Sequence, residues 1–158
     1  MAMSAHLNFQ HEKISRLDLT TYATARVGTS VTETLALMRQ RRVSAVLVED
    51  ETHRVLGIFT ERDVLLKVAG EKTALDGRVD SVMTPQPQTL SPDDTVGHAL
   101  QLMNHGHYRN VPVLDKDRAI VGNLSQHAII TFLTDHYPRE IYNLPPESDV
   151  IPQTREGA

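Results

Sequence analysis

The stretch "VSAVLVEDETHRVLGIFTERDVLLKVAG", residues 43–70, holds two short β-branched runs followed by one helical run. "VSAVLVED" predicts a buried strand, "DETH" a turn and "RVLGIF" a second strand. "ERDVLLKVAG" predicts a helix that closes at Gly70. Just upstream, "SVTETLALMRQRR" sets Val31, Leu35 and Met38 on one apolar helical face. Ser30 and Glu33 form an S-x-x-E capping box at its start. "TTYATARV", rich in Thr and Val, supplies a first strand. The predicted order is β-α-β-β-α.

The chain then repeats itself. A shift of 65 positions superposes it on itself without a gap. Between residues 24 and 64 there are nine identities in 41 positions: Thr24/Thr89, Val31/Val96, Leu35/Leu100, Leu37/Leu102, Met38/Met103, Val46/Val111, Val48/Val113, Asp50/Asp115 and Gly57/Gly122. Conservative pairs such as Val55/Ile120, Thr60/Ser125 and Val64/Ile129 fall in the same register. The second copy gives the same order of elements: "PQTL", "TVGHALQLMNHG", "YRNVPVLD", "AIVGNL" and "QHAIITFLTDH". One unit of ~45 residues buries little alone, whereas two packed together share a core. The expected fold class is α/β (α+β), two βαββα lobes. The expected organisation is an N-terminal segment (1–19), repeat 1 (20–70), a linker with one short helix (71–86), repeat 2 (87–137) and a tail (138–158). The tail is rich in Pro and charge and is expected to be extended or partly disordered.

Composition narrows the function. The chain has 158 residues, 40% of them hydrophobic and 23% charged, as in ordinary globular proteins. Its net charge of −4 argues against a general nucleic-acid binder, which needs a basic face. Aromatics are 4% of residues and Trp is absent, so a surface stacking many nucleobases is not expected. The absence of cysteine removes disulfides, thiolate zinc sites and a cysteine nucleophile, and fits a reducing cytoplasm. No stretch reads as a signal peptide or approaches the ~18 apolar residues of a membrane span.

"RVSAVLVED…RVLGIFTERDVL" in the first copy and "VMTPQPQTLSPDDTVGHALQLMNHGHYRNVPVLD…AIVGNLS" in the second carry a resemblance. Together, over roughly residues 20–136, they resemble a tandem pair of cystathionine-β-synthase (CBS) domains, also called a Bateman module. The resemblance implies two lobes around a pseudo-twofold axis, a disk-like homodimer, and adenosine-containing ligands in the clefts between lobes. Each cleft would combine the T-x-x-D turn of one repeat with strands of the other.

Carried onto this sequence, cleft one combines Ile58, Thr60, Arg62 and Asp63 with Thr89, Leu90, Tyr108, Arg109, Asn110, Val111 and Pro112. The chemistry is coherent. A carboxylate accepts hydrogen bonds from vicinal ribose hydroxyls, Arg62 and Arg109 suit phosphate, and Ile58 and Leu90 give apolar walls. Thr60 and Asp63 equally fit a helix cap, and the two roles are compatible. Cleft two combines Ser125 with Ala23, Thr24, Val43, Ser44 and Ala45. It departs from the pattern because Ala128 stands where Asp63 stands in the first copy, and it is expected to be degenerate. His127 reads as a surface histidine.

Other residues suggest less. His98, His105 and His107 lack a carboxylate at ligand spacing, so no metal is expected. "MRQRR" complements a helix C-terminus, and Met38, Met83 and Met103 read as core or interface fillers. No catalytic residue and no required cofactor are expected. The resulting expectation is a cytoplasmic, non-enzymatic regulatory module. It would sense AMP, ADP or ATP, with NAD and S-adenosylmethionine sharing the same contacts, and would signal to a protein partner in trans. The alternative is a ligand-free dimerisation or docking scaffold with vestigial clefts.

Overall fold

A computed structural model describes residues 8–138. The expected character of the tail beyond residue 138 lies outside the described residues. The first lobe contains β1 (Ala23–Arg26), α1 (Val31–Arg41), β2 (Ala45–Glu49), β3 (Val55–Thr60) and α2 (Glu61–Asp63). After β4 (Thr84–Pro85), the second contains α3 (Val96–Gly106), β5 (Asn110–Leu114), β6 (Ile120–Ser125) and α4 (Gln126–His136). The first lobe has the predicted βαββα order, and the second matches it with its first strand reduced to one bridge, Leu90 to Val113.

Local chemistry sets the helix ends. Ser30 Oγ accepts from the N–H of Glu33 at 3.1 Å, Thr95 Oγ1 from that of His98 at 3.1 Å, and Ser125 Oγ from that of Ala128 at 3.0 Å. Both α1 and α3 end on a non-glycine residue in the left-handed conformation, Arg42 at φ 53° and His107 at φ 55°. The apolar face of α1 is not quite the one predicted. Val31, Thr34 and Met38 are buried and Leu35 only partly. Thr34 is tolerated there because its hydroxyl donates back to the Ser30 carbonyl at 2.8 Å.

In lobe 1 the strand order is β1-β2-β3-β4, with β1 and β2 parallel and the other pairs antiparallel. In lobe 2, β5 and β6 are antiparallel and Leu90 bridges Val113 in parallel, where β1 would lie. Duplication extends to the irregularities. The β2–β3 ladder slips between Val48 and Glu49, and the β5–β6 ladder slips between Val113 and Leu114, 65 residues on.

Each lobe borrows the segment that precedes the other's repeat. The core of lobe 1 contains Val79 and Val82 from the linker, packed with Val31, Val46, Val48 and Phe59. The core of lobe 2 contains Ile14, Leu17 and Leu19 from the N-terminal segment, packed with Val96, Val113, Leu124 and Phe132. Ile14 and Val79 are 65 residues apart and open equivalent 3-10 turns, so the internal equivalence reaches back to residue 14. The backbone repeats the pattern. Val79 N–H donates to the Thr29 carbonyl at 2.8 Å and Ile14 N–H to that of Asp94 at 2.9 Å. The Leu19 carbonyl, in the place of β4, accepts from Asn123 N–H at 3.0 Å. Segment 71–86 thus holds two 3-10 turns, Ala74–Asp76 and Val79–Ser81, and a strand, rather than one short helix.

The predicted helix after β3 differs most from expectation. After α2 the chain widens into a π-helical turn, Val64–Val68, with Ala69 N–H donating to the Val64 carbonyl at 2.8 Å. There Lys67 Nζ meets Asp63 Oδ1 at 2.9 Å and donates to the Val82 carbonyl at 2.9 Å. The equivalent positions in lobe 2 are Ala128 and Phe132, both buried in its core, and α4 is a regular eleven-residue helix. An ion pair reaching the linker replaces an apolar pair at the same two positions.

Ala45, Leu47 and Ile58 form a separate buried cluster with Tyr22 and Ile120. Their equivalents in lobe 2 are Asn110, Pro112 and Asn123. Asn123 Nδ2 donates to Asn110 Oδ1 at 3.1 Å. Asn123 Oδ1 is buried without a partner among the described residues, at a cost of about 1–3 kcal/mol.

Candidate functional site

Thr60 ends β3 in an extended conformation and Asp63 lies three residues on, so the β3–α2 corner presents both. Asp63 is buried, at 6% exposure. Its Oδ2 accepts from Thr60 N–H at 3.0 Å and Thr60 Oγ1 at 3.2 Å, and its Oδ1 faces Lys67. The capping role is therefore filled from within lobe 1. Arg62 leaves the same corner and donates from Nη1 to the His107 carbonyl in lobe 2 at 3.2 Å. That bond brings Thr60, Arg62 and Asp63 beside the approach to β5, where Tyr108 and Arg109 lie.

The remaining cleft-one residues divide by the alternation of a strand. Val111 belongs to the lobe 2 core, as does Leu90, whereas Asn110 and Pro112 lie on the opposite face of β5. Ile58 sits in the central cluster with Ala45. Arg109 is exposed, and Thr89 lines a pocket of about 370 Å³ with Gln86, Arg54 and Arg118.

An opening lies at cleft two. A pocket of about 760 Å³ is bounded by Val43, Ser44 and Ser125, three of the six residues expected there. Ala23 is in the lobe 1 core and Thr24 is exposed. Sequence reasoning missed Arg39, Arg42, Glu61 and Leu65, which also line it. The available signal was the run "MRQRR", whose helix-dipole reading left no reason to seek a second role. His127, read as a surface residue, is exposed and lies on the rim. This pocket lies at the cleft without a carboxylate at the T-x-x-D position.

Among the described residues no group of three His, Asp or Glu side chains converges as a metal site, and His105 Nδ1 lies 2.9 Å from the Gln101 carbonyl. No helix among them is long and apolar enough to cross a membrane.

Two copies of the CBS domain model match the chain, at residues 14–70 and 79–135. The chain belongs to the CBS-domain family. The meiotically up-regulated gene 70 protein of Schizosaccharomyces pombe is 36% identical over 131 residues, 82% of this chain and 17% of that protein. This CBS pair thus spans about a sixth of the length of that curated relative. The CBS-domain-containing protein ATU1752 of Agrobacterium tumefaciens is similar in structure, with a TM-score of 0.66, 28% identity, and 70% and 88% of the two chains covered. The CBS pair of protein MJ0100, solved with 5′-methylthioadenosine and S-adenosyl-L-methionine, shares the fold at TM-score 0.66 and 24% identity, covering 74% and 94%.

Proposed function

We propose that this CBS pair is a regulatory module that binds an adenosine-type ligand, of the AMP, ADP or ATP class, between its lobes. Occupancy would bias lobe angle or dimer geometry, and a separate protein would read the change. The observation that carries this reading is the Arg62 bond to the His107 carbonyl. It holds the Thr60–Asp63 corner of one lobe against the start of β5 in the other, so a ligand there touches both. The MJ0100 pair, with two adenosine compounds bound, supports the class of ligand. A ribose hydroxyl at Asp63 would share Oδ1 with Lys67, itself 41% exposed.

Asp63→Ala is the test. Loss of charge-assisted bonds of roughly 1.5–3 kcal/mol each predicts at least a ~10-fold loss of nucleotide affinity by isothermal titration calorimetry. Unchanged affinity refutes the ribose contact.

A second reading, a ligand-free scaffold, is favoured by one fact: Asp63 already has its partners. On that reading AMP, ADP, ATP, NAD and S-adenosylmethionine all leave the melting temperature unmoved. A ligand at ~100 times its Kd would instead add about 2.7 kcal/mol.

Both readings include a homodimer. Leu65 and Leu66 are 72% and 68% exposed, and Ile130, the equivalent of Leu65, is 57% exposed. These form apolar faces that a second copy would cover. The variant Leu65→Glu/Ile130→Glu is expected to sediment as a monomer where the parent chain sediments as a dimer. Sedimentation unchanged by the pair refutes this interface.

A further inference from the structure

The turn Val64–Val68 is wound against its own sequence. It contains no glycine or proline that would widen a helix, and the equivalent residues 129–133 wind as part of the regular α4. Turns of this wide kind are rare and collect at functional sites. What sets this one apart is a tertiary contact. Lys67 Nζ lies between Asp63 Oδ1 and the Val82 carbonyl, 2.9 Å from each. Oδ1 has no other partner among the described residues, and no backbone N–H among them donates to the Val82 carbonyl. Ala128 and Phe132, the lobe 2 equivalents, have no polar side-chain group to make this span.

Both ends of the span bear on how the lobes are joined. Asp63 sits beside Arg62, which bonds to lobe 2. Val82 is 9% exposed in the core of lobe 1. Beyond it the chain follows β3 through β4 and the Gln86 N–H bond to the Leu56 carbonyl, then enters lobe 2 at Leu90. Slack lies just after the turn. Gly70 has φ 93°, no atom lies within 4 Å of where its Cβ would stand, and residues 71–73 are exposed. The turn can pass its extra residue to this segment.

We propose that Lys67 is a latch. It holds the turn in its wide form, and a ligand hydroxyl at Asp63 Oδ1 loosens it, so that the turn rewinds toward α and the linker at Val82 is released. The ligand's part rests on the ribose reading above. A hydroxyl that donates to Oδ1 draws on the same carboxylate charge that holds the ammonium. Two windings of one segment supply the two-state element that coupling between sites requires. Leu65 and Leu66 ride on it, so the winding sets where that apolar face points.

The test is amide hydrogen exchange of the full chain, read residue by residue by NMR. Without ligand, Lys67→Met is expected to speed exchange at Ala69 and Met83, whose N–H groups bond to the Val64 and Val79 carbonyls, by roughly fivefold or more. The Phe132 amide in lobe 2 should keep its rate. Lys67→Arg, whose guanidinium can span the same two acceptors, should keep the parent rates throughout. Saturating ATP should speed the same two amides in the parent chain and add nothing in Lys67→Met. The diol-free 2′,3′-dideoxy-ATP should leave them unmoved. Parent rates in Lys67→Met, or equal speeding at Phe132, overturn the latch. ATP that binds by calorimetry yet leaves Ala69 and Met83 at their ligand-free rates overturns its link to the ligand. Absence of ATP binding refutes the ribose reading and with it that link, and the variants without ligand still decide the latch.

Discussion

A chain that starts at Thr20 is expected to lose lobe 2. The segment removed carries Ile14, Leu17 and Leu19, at 0%, 7% and 8% exposure, all in the core around Val96, Leu124 and Phe132. Burial of a side chain of this size contributes about 1.5–3 kcal/mol. The three together contribute about 5–9 kcal/mol, a large share of the ~5–15 kcal/mol that holds a domain. The cut also strips the partner from the buried Asn123 N–H and removes the Glu12 carbonyl that accepts from Val96 N–H at 2.8 Å. Outside the core, the same segment is fastened to the end of α4. Tyr137 donates to Glu12 Oε1 at 3.2 Å, and Arg16 stacks 5.7 Å from the Phe132 ring centre while pairing with Glu12. The Arg16 hydrogen bond holds the Glu12 carboxyl below its usual range, with Tyr137 adding to the effect. Urea unfolding followed by circular dichroism should lose its single cooperative transition in the truncated chain. Ile14→Ala in the full chain should lose about 2–5 kcal/mol. A truncated chain with the parent midpoint would refute the shared core.

The sequence carries the repeat openly and the exchange of segments hardly at all. Nine identities at one offset reveal the duplication, and five of the pairs, Val31/Val96, Met38/Met103, Val46/Val111, Val48/Val113 and Gly57/Gly122, are buried in both copies, where packing limits the choice. Ile14/Val79 and Leu17/Val82 are two conservative pairs, and local pattern does not say which lobe a segment enters. That is a property of the assembled chain. The π-helical turn was hidden for a similar reason: "ERDVLLKVAG" has good helix formers throughout, and the widening accompanies a Lys67 contact to Val82, fifteen residues away. At the site, the Thr60–Asp63 corner and its approach to lobe 2 follow from a spacing of three residues. Leu90 and Val111 were assigned to a cleft although Val111 shares a strand face with the buried Val113, a period-two pattern that marks both as core. Arg39 and Arg42 were legible as charges but not as pocket lining, because one basic helix end satisfies two physical readings.

Gly57 and Gly122 are the same position in the two lobes, yet substitution should cost them unequally. Each lies in a strand crossed closely by the borrowed segment, where a side chain has no room. A Cβ on Gly122 would meet backbone: it would stand 2.5 Å from the Leu19 carbonyl oxygen and 2.5 Å from Leu19 Cβ. A Cβ on Gly57 would meet only the Met83 side chain, with its Cγ at 2.8 Å. A thioether has three rotatable bonds and can move aside, whereas Leu19 is fixed by its carbonyl bond to Asn123 N–H and by its place in the core. Overpacking costs about 1–3 kcal/mol, so Gly57→Ala should fall at the low end and Gly122→Ala at or above the high end. The larger penalty has a particular route, because the strain at Gly122 is relieved by peeling the N-terminal segment from β6. Trypsin should then cut after Lys13 and Arg16 faster in Gly122→Ala than in either the parent chain or Gly57→Ala. Equal urea midpoints for the two alanine variants, or cleavage after Arg16 no faster than in the parent, would show that Leu19 is not held against β6.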